Sequence, residues 1–411
     1  MTVSERFLSY VPFETKSDGA SPTCPSTPNQ TEFGKFLVEE MKGLGIADAA
    51  IDKNGYVTGT IPSNLDEAAD KKLPVVGFIA HMDLASEVPS VGIKPRVVQN
   101  YDGGDILLNN DLGIVLSPRD YESLTKVVGH DLIVTDGTTL LGGDDKAGIA
   151  EILTMAERLL NDPSIKHGTI KVGFTPDEEI GRGADLFDVP GFGADFAYTV
   201  DGGSFGGMEY ETFNAASGVV TCTGRSIHPG SAKNKMVNAT LLAMEFHGML
   251  PVAMRPEHTE EREGFFHLNT MTGSVEHAEL RYLLRDHDRT KLERQKEMMY
   301  TAATFLNAKY GEGSVKVEAN DMYYNMHDQI KPHWHIVETA YEVIRELGGD
   351  PVSNPVRGGT DGCRLSYMGL PCPNLSTGGR NAHGRFEYVS ITEMELCTEL
   401  LIGIVKKYAG Q

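Results

Sequence analysis

Short apolar runs recur through the first half of the chain: VVGFIA, DLIVTD, GTIKVGFTP and FAYTVD. This recurrence restricts the fold more than any other feature. A run of four to eight β-branched, aromatic and small residues between turn signals suits a strand covered on both faces. Between the runs, GGDDKAGIAEILTMAERLLND places Ile149, Leu153, Ala156 and Leu160 on one helical face. Strands alternating with helices predict an α/β fold, a mainly parallel sheet covered on both faces. The N-terminal part reads as a helix, a polar loop around SDGASPTCPSTPNQ, and a second helix from about Thr31 to Leu44.

After about residue 212 the pattern changes. FNAASGVVTCTG reads as a strand, and NKMVNATLLAMEFHGML as a helix with Val237, Leu241 and Met244 on one face. FFHLNTMTGSV and HAELRYLLRD are two more strands, followed by the helix RTKLERQKEMMYTAATFLNAKY and the strand SVKVEAN. The order β-α-β-β-α-β is the split-βαβ, ferredoxin-like pattern. The α/β pattern resumes beyond residue 326, so one domain interrupts another. The expected division is 1–211 and 327–411 for the outer domain and 212–326 for the inserted one.

Composition excludes several classes of function. The chain has 411 residues, and 58 acids against 37 lysines and arginines give a net charge of -21. Such a charge argues against nucleic acid or an anionic membrane surface as a partner. Five scattered cysteines without a C-x-x-C pair do not suit a disulfide framework or a thiolate metal site. The N-terminal stretch MTVSERFLSYVPFETKS lacks the apolar core of a secretion signal, and no apolar run has the length of a membrane span. The expectation is a reduced, cytoplasmic protein.

Ligands of an α/β sheet bind beyond the carboxyl ends of its strands, and here those ends are acidic. VVGFIA runs into His81-Met82-Asp83, VGFTP into Asp177-Glu178-Glu179, and FAYTV into Asp201. Asp144-Asp145 opens a helix, and TGGRNAHG carries His383 in a glycine-rich loop. Singly, each has an ordinary explanation: a helix cap for Asp144, a turn for Asp201, a core histidine for His81, solvated charge for the glutamates. Together they place imidazole and carboxylate donors at one rim, a set that suits zinc, manganese or cobalt better than calcium or magnesium. Asp83, two residues after His81, faces the same way on an extended backbone and can orient the imidazole. Of two adjacent glutamates, one can bind metal while the other moves a proton.

The motifs HMD, LLGGDDKAGIAEI, FTPDEEIG, YTVDGG, IHPGSAK, RGGTDG and MGLPCPNLSTGGRNAHG, in this order, resemble the dinuclear-zinc M20 metallopeptidases of the peptidase T type. The resemblance runs over nearly the whole chain. It implies a zinc-binding α/β domain with an inserted lid domain, and release of the N-terminal residue from tripeptides. It implies that His81 and Asp201 bind one zinc, that Glu179 and His383 bind the other, and that Asp144 bridges both. Asp83 would orient His81, and Glu178 would be the general base. His228, from the lid, would help stabilise the oxyanion, and Arg357 would hold a substrate carboxylate. Cobalt or manganese could replace zinc, and the subunit could be one half of a homodimer.

Some residues depart from the expected pattern. Gly143 precedes the bridging aspartate where alanine is usual, Ser376 replaces phenylalanine, and Arg380 and Ala382 stand where aromatics are expected. Two rival activities are a dipeptidase or amino-acid deacylase of the same family, and a serine hydrolase using Gly202-Gly203-Ser204-Phe205-Gly206 as a nucleophile elbow. The elbow must lead from a strand into a helix, and the β-like GMEYETFNAAS that follows does not offer one.

Overall fold

The strand Val76–His81 is buried along its whole length. It pairs in parallel with Ile170–Thr175 on one side and Phe196–Gly202 on the other. Phe196–Gly202 pairs in parallel with Asn374–Ser376. Antiparallel strands extend both sides, with Val57–Ile61 and then Ala50–Ile51 beyond Ile170–Thr175, and Met208–Glu209 beyond Asn374–Ser376. The computed structural model describes residues 1–353 and 355–410, and this seven-stranded sheet is the frame of its first unit. Because the central strands are parallel, His81, the 177–179 acids and Asp201 emerge at the same edge.

The helix Gly143–Asn161 packs against the central strands, and the helices Val3–Tyr10 and Ile391–Tyr408 pack against it in turn. Enclosed in this way it is buried almost all round, including Ile149, Leu153 and Ala156. Gly148 makes the close approach feasible, since a Cβ there would lie 1.8 Å from the Val200 carbonyl oxygen.

DLIVTD forms a strand, Leu132–Val134, but outside the main sheet. It belongs to a separate four-stranded antiparallel sheet with Arg96–Val98, Tyr388–Ser390 and Gly379–Arg380. Its composition fits either sheet, and pairing with the distant C-terminal part of the chain decides between them.

The chain divides into two compact units: Met1–Tyr210, Asp328–Ser353 and Thr360–Gln411 form the first, and Glu211–His327 with Asn354–Gly359 the second. The second unit has an antiparallel sheet in the order Phe265–Gly273, His277–Asp286, Asn214–Thr223, Val315–Tyr323. The helices Ala239–Met249 and Arg289–Tyr310 close its core, which includes Val220, Leu280, Tyr282, Leu242, Phe246 and Met299. This is the β-α-β-β-α-β order read from the sequence.

The face expected for the first of these helices is wrong. Leu241 and Met244 are 62% and 58% exposed, and the buried face is Ala239, Leu242, Ala243 and Phe246. Asn238 caps the helix, accepting from the Thr240 and Leu241 N–H groups. Val237 therefore lies outside the helix, and the buried stripe is shifted by one residue. Arg357 falls in the second unit rather than with residues 327–411. No helix among the described residues is long and apolar enough to cross a membrane.

Candidate active site

His81 ends its strand buried, and its backbone N–H donates to Asp145 Oδ2 at 3.1 Å. Asp144 lies at the start of the long helix but is not helical (φ -84°, ψ 104°), and no side chain caps that end. The capping role open to Asp144 is therefore not the one it takes. Its carboxylate instead turns to two imidazoles, with Oδ1 2.8 Å from His81 Nε2 and Oδ2 3.3 Å from His383 Nε2. Glu387 fixes this turn from the far end of the chain: Oε2 accepts from the Leu141 and Gly142 N–H groups at 2.7 and 2.8 Å, and Oε1 from Asp144 N–H at 3.1 Å. Sequence reasoning missed Glu387, which no local pattern connects with Asp144.

Two donor groups result. His81, Asp144 and Asp201 form one, and Asp144, Glu179 and His383 the other, with the donor atoms of each group within 4.8 Å of one another. Asp201 Oδ1 is 3.4 Å from His81 Nε2, and Glu179 Oε2 is 2.9 Å from His383 Nε2. His383 has a left-handed backbone (φ 62°), a conformation tolerated by few residues other than glycine.

The electrostatics show a site that needs positive charge. Burial raises the Asp201 carboxyl to about 8, and burial also raises that of Glu179. Hydrogen bonds to Asp144 and Glu179 raise His383 to about 11. Burial disfavours the charged form of His81, but the Asp201 charge and the bond to Asp144 prevail and raise its pKa well above the usual value. Burial also opposes ionisation of Asp144, yet bonds to His383 and His81 lower its pKa. Two imidazoles and three carboxylates thus face one another at short range, the kind of donor set that divalent cations bind. Glu179 Oε1 is buried without a hydrogen-bond partner. A buried oxygen left in that state is costly, and a cation would satisfy it. The donor set and this orphaned oxygen fit metal ions.

The acidic triplet divides its work. Asp177 is buried and left-handed (φ 59°). Its carboxylate accepts from Ser26 N–H at 2.8 Å, Ser26 Oγ at 2.5 Å and Gln30 Nε2 at 2.8 Å, while its own N–H donates to Gln30 Oε1 at 3.0 Å. It pins the loop to the start of the Pro28–Leu44 helix. Asp177→Ala would leave these buried donors without an acceptor and should lower stability by about 2–3 kcal/mol. A urea denaturation midpoint equal to that of the parent would refute this anchoring role.

Asp83 does more than the sequence suggested. Its Oδ1 lies 3.5 Å from His81 Nδ1, but the shorter contact of that nitrogen, 3.1 Å, is to the Asp83 carbonyl oxygen. The carboxylate mainly accepts from the backbone N–H groups of Glu178 and Glu179, at 2.9 and 3.1 Å. One buried side chain therefore positions both glutamates. Asp361, from the RGGTDG motif, is a further buried acid, its carboxyl raised to about 6 by burial.

His228 lies in the second unit, exposed, with Nδ1 accepting from Gly230 N–H at 3.1 Å. Arg357 in that unit donates to the carbonyls of Thr259, Glu261 and Glu263 and to Thr259 Oγ1, and its guanidinium lies over the rings of Phe213 and Phe265. Its donors are committed to backbone carbonyls rather than presented for a carboxylate. The serine-elbow reading fails on geometry, since Ser204 is followed by the strand Met208–Glu209 and not by a helix.

Three of the departures also find a setting. Arg380 is buried and paired with Glu393 at 2.7 Å, and Ser376 Oγ lies 3.6 Å from Cys397 Sγ. Ala382 lines a cavity of about 230 Å³ that also touches Asp144 and Asp201.

An α/β unit that gathers such donors at the carboxyl edge of its sheet is the frame of a metal-using hydrolase. A model of peptidase family M20/M25/M40 matches residues 135–407, and the chain belongs to this family, in its peptidase T branch. Peptidase T of Alkaliphilus oremlandii (strain OhILAs) is 52% identical over 405 residues, covering 98% of each chain. Among solved structures, aminopeptidase PepT from Bacillus cereus ATCC 10987 superposes with a TM-score of 0.75 at 24% identity, covering 99% of this chain and 98% of its own. A tripeptidase from Staphylococcus aureus subsp. aureus mu50 gives 0.77 at 23% identity, covering 100% of this chain and 98% of its own.

Proposed function

We propose that the chain is a metal-dependent aminopeptidase that releases the N-terminal residue from tripeptides. The observation that carries this reading is the pair of donor groups sharing Asp144, with Glu178, next in sequence to Glu179, in neither. Two zinc ions, or cobalt or manganese in their place, would be held by His81, Asp144 and Asp201 and by Asp144, Glu179 and His383. Bound there, such ions supply Lewis acidity and make water a nucleophile near neutral pH.

The chain's own residues supply the rest. Asp83 holds the backbone of Glu178 and Glu179, so the acid that binds metal and the acid that moves a proton keep a fixed relation. The Glu178 carboxylate takes a proton from the attacking water and delivers it to the leaving amide nitrogen. Since Nδ1 of His228 accepts from Gly230 N–H, the neutral ring carries its hydrogen on Nε2. Nε2 is then the ring atom left to donate, as the oxyanion role proposed for His228 requires. His228→Ala should lower kcat by about 10²–10³-fold with metal content unchanged, and an unaltered kcat would remove His228 from the mechanism. For Arg357 to hold a substrate carboxylate, it must first exchange its present carbonyl partners. No disulfide joins cysteines among the described residues, which suits a reducing compartment such as the cytoplasm.

The test is a panel of di-, tri- and tetrapeptides with free or blocked termini, assayed with and without chelator. Release of the first residue from free tripeptides, lost with chelator and restored by zinc, is the expected result. Preferential cleavage of dipeptides or of acylated amino acids would overturn the assignment.

A further inference from the structure

An aminopeptidase must recognise an ammonium group one residue from the bond it cleaves. The acceptor must therefore lie close to the donor groups without belonging to them. The cavity of about 230 Å³ meets that condition, since Asp144 and Asp201 form part of its wall, together with Gly202, Gly203 and Glu209. Liquid water takes about 30 Å³ per molecule, so the cavity has room for a single amino-acid residue.

The charged side chains of this wall are otherwise engaged, with one exception. Asp144 and Asp201 belong to the donor groups. Glu387 spends both oxygens on three backbone N–H groups. Arg380 is neutralised by Glu393 and donates to the Gly378 carbonyl. Glu209 has one hydrogen bond, Oε2 accepting from Asn374 Nδ2 at 2.9 Å. The amide orientation of Asn374 is determined, because its Oδ1 accepts from Asp201 N–H at 3.1 Å. Asn374 thus ties Glu209 to the backbone of a proposed metal ligand, and Glu209 Oε1 has no partner among the described residues.

We infer that Glu209 accepts the substrate's α-ammonium group, so that the cavity holds the N-terminal residue. This rests on the aminopeptidase reading and deepens it. Asn374 fixes the carboxylate, and the free oxygen receives an N–H of the ammonium. Gly203 adds no side chain on this wall, where a Cβ would approach only the Gly379 carbonyl oxygen, at 3.7 Å.

Glu209→Gln keeps the shape and the bond from Asn374 while removing the charge. Kinetics would be compared on Ala-Ala-Ala and on propionyl-Ala-Ala, the same molecule without its amine. Losing one partner of a partly buried charge pair weakens binding by about 30-fold or more. The parent enzyme should favour Ala-Ala-Ala. Glu209→Gln should reduce that preference by about 30-fold, mainly through KM, with metal content and Tm unchanged, and Glu209→Asp should restore part of it. Full preference retained in Glu209→Gln would overturn the inference. So would a loss that follows loss of bound metal, which would make Glu209 a support for Asp201. A parent enzyme that does not favour the free amine would instead refute the aminopeptidase reading itself.

Discussion

Glu178→Gln should keep its bound metal and lose turnover by about 10³-fold or more, within or beyond the range of general acid–base catalysis. Gln has the shape of Glu but cannot accept the proton of an attacking water at neutral pH. Glu178 belongs to neither donor group, so the change leaves both sets intact. The contact with Asp83 is made by the Glu178 backbone N–H, so the loop should also keep its place. Metal analysis and single-turnover kinetics on Ala-Ala-Ala separate the two effects. Retained turnover with full metal would remove Glu178 as the base, and loss of metal in step with activity would make it a ligand.

Asp144→Asn should weaken both metal positions together, by more than about 100-fold, a loss larger than that usual for residues that only support a ligand. The side chain is common to both donor groups, with one oxygen on each side. The substitution removes its negative charge and makes one of the two positions an amide nitrogen, which cannot bind a cation. Elemental analysis after dialysis against a weak chelator gives the occupancy. Loss of one ion with full retention of the other would show that Asp144 does not bridge.

Much of this site was legible because parallel strands deliver their carboxyl ends to one edge. His81, Asp201 and the 177–179 acids follow apolar runs, so strand periodicity alone brought them together. What was not legible depends on pairing across long stretches of chain. Glu387 secures the Asp144 turn from the other end of the molecule, and nothing near either residue signals it. Asp177 had no role until the fold placed it against Ser26 and Gln30. The strand Leu132–Val134 left the main sheet because its ladder partners lie beyond residue 387 and at 96–98. The Ala239–Met249 helix buries Leu242 and Phe246 rather than Leu241 and Met244 because tertiary packing in its own unit selects the face. The same limit hid the second contact of Asp83: its carboxylate was expected on His81, and it reaches the backbone of the glutamates as well.

The most direct measurement is anomalous scattering from crystals of the protein loaded with zinc. Two peaks about 3.5–4 Å apart, one against His81 and Asp201, the other against Glu179 and His383, with Asp144 between them, are the expected result. A single peak, or peaks away from these five side chains, would contradict it.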